Sequence, residues 1–241
     1  MKIGLIQTAG LGDIVIALPI AKTFADAGHQ VFWPVNEAYC RFLPEAAPYV
    51  TFIPVPRNEP VDFHLSFPRR ELASRGCDRT FVLYNSLFDD SSMLERKDLV
   101  RFLKFDEYKY AVTGVPFAEK WRLQVTRNIE REKELHTSLG IGGAYICIHR
   151  QASNARVEFG IPSEWREFQI VEVDGRGTPF DWIYTFERAA KLVCIDSVFS
   201  NLIEQLNLPN EKHLFLRMPS PFCAVMKNGW RMIGLEESRE A

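Results

Sequence analysis

The sequence lacks long apolar runs, paired cysteines and an excess of charge of one sign. The apolar stretch from Ile14 to Ile20 is far shorter than the roughly 20 residues of a membrane span. The five cysteines are scattered and none forms a Cys-x-x-Cys pair, which predicts free thiols in a reducing compartment. The net charge of −2 excludes a global basic field for nucleic acid or anionic membranes. We therefore expect a cytoplasmic protein, with no signal peptide and no membrane span.

The composition is that of a globular protein. Of the 241 residues, 46% are hydrophobic and 25% are charged, and this length suits one large domain or two small ones. No His, Cys, Asp or Glu residues stand at metal-ligand spacing, so we expect neither a metal site nor a cofactor.

Strand and helix patterns alternate along the chain. Lys2–Gln7 predicts a buried strand, a helix follows from Asp13 to a glycine stop at Gly28, and Gln30–Trp33 predicts the next strand. Further strands are predicted at 50–55, 63–67, 80–84, 144–149, 169–173, 192–195 and 213–216. Helices are predicted at 37–45, 92–103, 119–139, 163–168, 180–190 and 198–206. This alternation predicts an α/β protein with two Rossmann-like, parallel-sheet domains, which we expect at residues 1–135 and 136–241.

Ligands of such sheets bind at the carboxyl ends of the strands, which directs attention to the loop Thr8-Ala-Gly-Leu-Gly-Asp13. The glycines permit a tight turn, and the following helix start favours anions. We expect a phosphate or acceptor contact from Thr8, Gly10, Leu11 and Gly12. Asp13 is either a helix cap or a general base. A nicotinamide-binding loop is disfavoured, because Val15 replaces the third glycine and no acidic residue closes the second strand.

Three later loops carry candidate donor-binding residues. The polar loop after strand 144–149 supplies Arg150, Ser153, Asn154 and Arg156, whose guanidinium groups suit phosphate oxygens. The next loop supplies Asp174, Gly175, Arg176 and Thr178. Asp196 and Ser197 stand where strand 192–195 ends and a helix begins, an arrangement that suits either a phosphate or a plain helix cap.

The segment Gly10-Leu-Gly-Asp-Ile-Val-Ile-Ala-Leu-Pro-Ile-Ala-Lys22 resembles the N-terminal motif of glycosyltransferase family 9, the heptosyltransferase-like enzymes. Gly12-Asp13 and Pro19 match that motif. Residues 171–197 resemble the family's donor region, although Val198 stands in place of its glycine. The resemblance implies a GT-B fold, a nucleotide-diphosphate sugar as donor, inversion at the sugar, independence of metal, and Asp13 as catalytic base. It also implies a C-terminal tail, Pro219 to Ala241, that crosses back to the first domain.

The acceptor implied is a glycan or a lipid-linked sugar. One alternative is a hydroxymethylpyrimidine in DNA, which a basic groove on the first domain would favour (candidates Arg57, Arg69, Arg70, Arg75 and Arg79). Another is a nucleotide-binding remnant of the fold without catalysis, whose mark would be an Asp13 turned away from the cleft.

Overall fold

The computed structural model describes residues 1–57, 62–85, 96, 98–152, 156–216 and 223–234. The chain forms two compact units, Met1–Thr126 and Arg127–Ala241. The division expected from the sequence, at 135/136, instead falls inside helix Ile129–Ser138, which belongs entirely to the second unit.

Within the described ranges, the first unit contains four parallel strands in the order β3-β2-β1-β4. The strands are β1 Lys2–Ile6, β2 Gln30–Asn36, β3 Val50–Val55 and β4 Arg79–Val82. Helix α1, Leu11–Asp26, connects β1 to β2 and buries every residue from Ile14 to Ala21, as its continuous apolar run requires. The strand order reverses at β1, so the crevice between the carboxyl ends of β1 and β4 is where such a sheet places a ligand.

Shorter elements complete this unit. A 3₁₀ turn at Glu37–Arg41 leads to α2, Leu43–Ala46. Helix α3 spans Phe67–Ser74 and α4 spans Phe105–Thr113. Helix α3 packs closely on β1, where a Cβ added to Gly4 would lie 2.8 Å from Leu72.

The second unit contains five parallel strands in its described part, in the order β6-β5-β7-β8-β9. They are β5 Tyr145–His149, β6 Gln169–Glu172, β7 Lys191–Ile195, β8 Glu211–Leu216 and β9 Trp230–Gly234. The helices are α5 Ile129–Ser138, α6 Ile183–Arg188 and α7 Val198–Gln205. One face of the sheet packs on Trp182 and Phe186, and the other packs on Phe159 and Trp165. Parallel sheets with helices in both units confirm the predicted α/β class.

Two of the predicted elements have a different secondary structure from the one expected. Residues 63–67, predicted as a strand, form a π-helical turn at Asp62–Ser66 and the start of α3, because Pro68 favours a first helical turn. The predicted helix 119–139 is interrupted. Phe117–Trp121 is a 3₁₀ turn, in which Lys120 forms a buried ion pair with Asp106. Helix α5 begins after Asn128, whose side chain accepts the N–H of Arg131.

Sequence reasoning also missed β9. It pairs with β8 as an edge strand of the second sheet, within the tail that was expected to cross back. Of the helix predicted at 92–103, residues 92–95 and 97 lie outside the described residues, and residues 98–103 form turns and a bend rather than a helix. Residues 217–222 and 235–241 also lie outside the described residues.

Candidate functional site

Asp13 lies at the carboxyl edge of the first sheet, in the first turn of α1. Its Oδ1 is 2.9 Å from Nζ of Lys109, and its side chain is 33% exposed. Its Oδ2 lies over Gly10, where an added Cβ would come within 2.5 Å. Gly10 also has a left-handed backbone with φ of 77°. The glycine is therefore required both by the turn and by the carboxylate.

Lys109, on α4, is a site residue that sequence reasoning missed. It is only 1% exposed, and its Nζ donates to Oε1 of Gln7 at 2.9 Å and to the carbonyl of Leu83 at 3.1 Å. A sequence signal existed, because Lys109 stands between two aromatic residues, Tyr108 and Tyr110, that are both fully buried. A lysine inside such a run must find buried acceptors.

Two tyrosine hydroxyls already use the backbone donors of the first glycine loop. Tyr84 Oη accepts the N–H groups of Thr8 at 2.8 Å and Ala9 at 3.3 Å, and Tyr39 accepts the N–H of Leu11. These are donors that a phosphate-binding loop would offer to its ligand. The expected phosphate role of Thr8 and Leu11 is therefore disfavoured, and nicotinamide binding with it.

Tyr84 also contacts two side chains. Its Oη lies 2.8 Å from Oγ1 of Thr8 and 2.9 Å from Nδ1 of His64. Burial raises the pKa of Tyr84 to about 12 and lowers the pKa of His64. Both side chains are thus uncharged near neutral pH. They lie against the first glycine loop, where both contact Thr8.

The second unit carries a cavity of about 560 Å³ at the carboxyl ends of β5 and β6. This volume lies in the range of small-molecule sites. Trp182, Phe199 and Val173 provide apolar walls. The other lining residues are His149, Gln151, Arg156, Glu172, Asp174, Gly175, Arg176, Gly177, Thr178 and Pro179.

Five of the predicted donor residues line this cavity: Arg156, Asp174, Gly175, Arg176 and Thr178. Ser197 adjoins it, since its Oγ is 3.1 Å from Nδ1 of His149. Asp196 directly precedes Ser197 and is absent from the lining. Ser153 and Asn154 lie outside the described residues.

Arg150 does not line the cavity, contrary to expectation. Its side chain is 7% exposed, pairs with Glu172, and lies 4.6 Å over the ring of Phe159. A third contact runs from Nη2 to the carbonyl of Phe159 at 3.4 Å. The buried guanidinium of Arg150 thus pairs with Glu172, which itself lines the cavity, and stacks on Phe159.

Asp181 holds the loop that forms one wall of the cavity. Its Oδ2 accepts the N–H of Thr178 at 2.7 Å, and its Oδ1 pairs with Nε of Arg131 at 2.6 Å. At the tip of the loop, Arg176 and Asp174 pair at 2.9 Å. Although burial opposes it, hydrogen bonds from Arg176 hold the pKa of Asp174 below its usual value.

The five arginines weighed for a DNA groove do not share one surface. Arg75 follows α3 and Arg79 begins β4, so both lie at the amino edge of the sheet, away from Asp13. Arg70 pairs with Asp62 at 2.9 Å. The remaining two are Arg57, which follows β3, and Arg69 on α3.

Among the described residues, no three or more His, Cys, Asp or Glu side chains cluster as a metal site would need. The same part of the chain contains no helix of the length and hydrophobicity that crossing a membrane requires.

No protein-family model and no curated protein matches this chain. Its fold does match solved structures. A glycosyltransferase family 9 protein from Veillonella parvula superposes with a TM-score of 0.67 at 14% identity, over 99% of this chain and 87% of that one. The E. coli heptosyltransferase WaaC, solved with ADP, gives 0.55 at 14% identity, over 97% and 93%. The E. coli ADP-heptose heptosyltransferase II gives 0.54 at 13% identity, over 96% and 93%. The predicted GT-B-like fold is therefore confirmed.

Proposed function

We propose that this chain is a glycosyltransferase of the family 9, heptosyltransferase-like kind, which transfers a sugar from a nucleotide-diphosphate sugar to an acceptor hydroxyl. The observation that carries the proposal is the cavity of about 560 Å³ at the carboxyl edge of the second sheet. It lies in a fold shared over nearly the whole chain with sugar-transferring enzymes. Because WaaC was solved with ADP, an ADP-linked sugar is the first donor to test.

The cavity has parts suited to each portion of such a donor. Trp182 and Phe199 supply apolar and aromatic surface for a base. Arg156 and Arg176 supply guanidinium groups for the diphosphate. Each now pairs with an exposed carboxylate, Glu158 or Asp174. Exposed ion pairs contribute at most about 1 kcal/mol, so both arginines can exchange them for phosphate oxygens.

The reaction we propose is a direct displacement. Asp13 takes the proton of the acceptor hydroxyl, and that oxygen bonds to the anomeric carbon as the bond from this carbon to the diphosphate breaks. The electron pair leaves with the nucleoside diphosphate, whose charge Arg156, Arg176 and the start of α7 beside Ser197 stabilise. This scheme inverts the anomeric centre and assigns charge stabilisation to side chains and backbone rather than to a metal ion.

We propose a sugar hydroxyl, on a glycan or a lipid-linked sugar, as acceptor. Modified DNA is less favoured, because the five arginines lie at different edges of the first unit. A cytoplasmic location is supported by the cysteines, all five of which are free.

Calorimetric titration with ADP, UDP, GDP, CMP and NAD tests the donor site. We expect one nucleoside diphosphate to bind, and Arg156→Gln to weaken it about tenfold or more, because a hydrogen bond to a charged group is worth about 1.5–3 kcal/mol. Phe199→Leu should weaken the same ligand. Arg122→Gln is the matched control, since Arg122 is an exposed arginine of the first unit that also pairs with a glutamate.

Binding of NAD alone, or of no diphosphate, would contradict the proposal. So would equal affinities in Arg156→Gln and Arg122→Gln. Release of ADP from ADP-heptose in the presence of a sugar acceptor, whose hydroxyl takes the heptosyl group, then tests the chemistry. Asp13→Asn should abolish the release while leaving ADP binding unchanged.

A further inference from the structure

Lys109 contacts three segments of the chain that form the crevice of the first unit. Its Nζ lies 2.9 Å from Oδ1 of Asp13 on α1, 2.9 Å from Oε1 of Gln7 after β1, and 3.1 Å from the carbonyl of Leu83 after β4. An ammonium group has three N–H donors, so these acceptors match its full capacity. Gln7 in turn donates to the carbonyl of Ala9 at 2.7 Å, which extends the network into the glycine loop.

Burial makes this arrangement costly. Lysine is almost never fully buried unless it is paired, and the desolvation of an ion costs several kcal/mol. Lys109 is 1% exposed. A methionine would fill the same space without that cost, so the charge itself calls for an explanation.

A second buried lysine–aspartate pair in the same unit serves as a comparison, because its role is purely structural. Lys120 and Asp106 lie 2.6 Å apart, and both side chains are 0% exposed. The Asp106 carboxylate is therefore closed to any substrate. The lysine of the Lys109–Asp13 pair is equally buried, but its carboxylate is 33% exposed and can meet a ligand.

We propose that Lys109 is a positioning residue for Asp13. It holds Oδ1 from the buried side through a charge-assisted hydrogen bond. The exposed part of the carboxylate is thereby kept in one orientation over Gly10, ready to take a proton. This inference rests on the proposed function of Asp13 as general base.

The ¹³Cγ resonance of Asp13, assigned with Asp13→Asn, tests the contact without any substrate. In Lys109→Met we expect the chemical shift of this resonance at neutral pH to change, because the carboxylate has lost the charged hydrogen-bond donor that contacts its Oδ1. Lys109→Arg should keep the wild-type chemical shift. The control is Lys22→Met, which removes the ion pair of Lys22 with Asp26 on the same helix and should change nothing at Asp13. If Lys109→Met does not fold, Lys109→Gln takes its place.

Release of ADP from ADP-heptose tests the catalytic consequence. We expect Lys109→Met to lower kcat at least tenfold with KM unchanged, because the cavity of the second unit is untouched, and Lys109→Arg to recover most of the rate. An unchanged Asp13 resonance in Lys109→Met overturns the proposal, as does an unchanged kcat. If the wild type releases no ADP, the proposed function fails, while the resonance still decides whether Lys109 holds Asp13.

Discussion

Replacing Gly10 with alanine tests how tightly Asp13 is held, and Gly28 supplies a matched control. Both glycines have a left-handed backbone, with φ of 77° and 81°, and they flank the two ends of α1. A Cβ at Gly10 would lie 2.5 Å from Oδ2 of Asp13, whereas nothing lies within 4 Å of a Cβ at Gly28. The two variants therefore share the backbone cost and differ in the contact with Asp13.

The size of the difference follows from the geometry. The left-handed conformation costs an alanine about 1–2 kcal/mol at either position. At Gly10 the carboxylate must also move, and it then loses its ion pair with Lys109. That pair is intermediate between an exposed one, worth up to about 1 kcal/mol, and a buried one, whose disruption costs about 3–5 kcal/mol. We therefore expect Gly10→Ala to lower the free energy of unfolding by about 1–2 kcal/mol more than Gly28→Ala does.

Urea unfolding, followed by far-ultraviolet circular dichroism, measures both variants within the same unit. Each is made in the wild type and in Asp13→Ala, which removes the carboxylate that the new methyl group would meet. The excess cost of Gly10→Ala should disappear in the Asp13→Ala background. Equal costs of the two glycine replacements in the wild type, or an undiminished excess without Asp13, would refute the described geometry.

Three further predictions concern titration and ion pairs. Because burial lowers the pKa of His64, the folded state binds its proton less readily than the unfolded chain does, and stability should fall as the pH drops below about 6.5. His64→Gln should reduce this loss in urea titrations between pH 7.5 and 5. Lys120→Met leaves the buried carboxylate of Asp106 without its cation and should cost about 3–5 kcal/mol, most of which Asp106→Asn in the same chain should restore. In thermal melts, Asp181→Asn should destabilise by about 1.5–3 kcal/mol, and Asp13→Asn by about 1–2 kcal/mol, because Lys109 then loses its anion but keeps two other acceptors.

Much of the fold could be predicted from the sequence because its strands are short, apolar runs bounded by turn residues. Residues 50–55 and 145–149 form strands where the pattern predicted them. The second of these is buried along its whole length and carries an almost continuous apolar run, as parallel strands covered on both faces do. The edge strand β9 was missed because its sequence is not a buried apolar run. Three of its five residues are only partly buried and two are exposed, so it carries no such run.

The helix predicted at 119–139 failed because a local pattern does not show a tertiary partner. The segment is polar and free of glycine and proline, which favours one helix. The buried pair of Lys120 with Asp106 instead fixes a 3₁₀ turn, and the Asn128 cap starts a separate helix. The contact of Lys120 with Asp106, a residue outside the predicted helix, thus overrides the helix propensity of the residues around Lys120.

The candidate site shows the same limit. The rule on strand ends pointed to two of the loops that line the cavity, but it does not give the direction of each side chain. Arg150 and Arg156 are both in the loop after β5, yet Arg150 turns inward to Glu172 and only Arg156 lines the cavity. Lys109 comes from a helix far along the chain from Asp13, and no motif connects the two.

Asp13 and Asp181 show why exposure, rather than motif, separates a catalytic candidate from a structural aspartate. Each lies near the start of a helical segment, and each has its Oδ2 over a left-handed glycine, with a basic side chain on its Oδ1. The two differ in burial, for Asp181 is 1% exposed and Asp13 is 33% exposed. The cation of Asp181 is its more exposed partner, whereas the cation of Asp13 is buried behind it. The first arrangement seals a carboxylate into a loop, and the second leaves one exposed to a ligand, which is why we propose Asp13 rather than Asp181 as the general base.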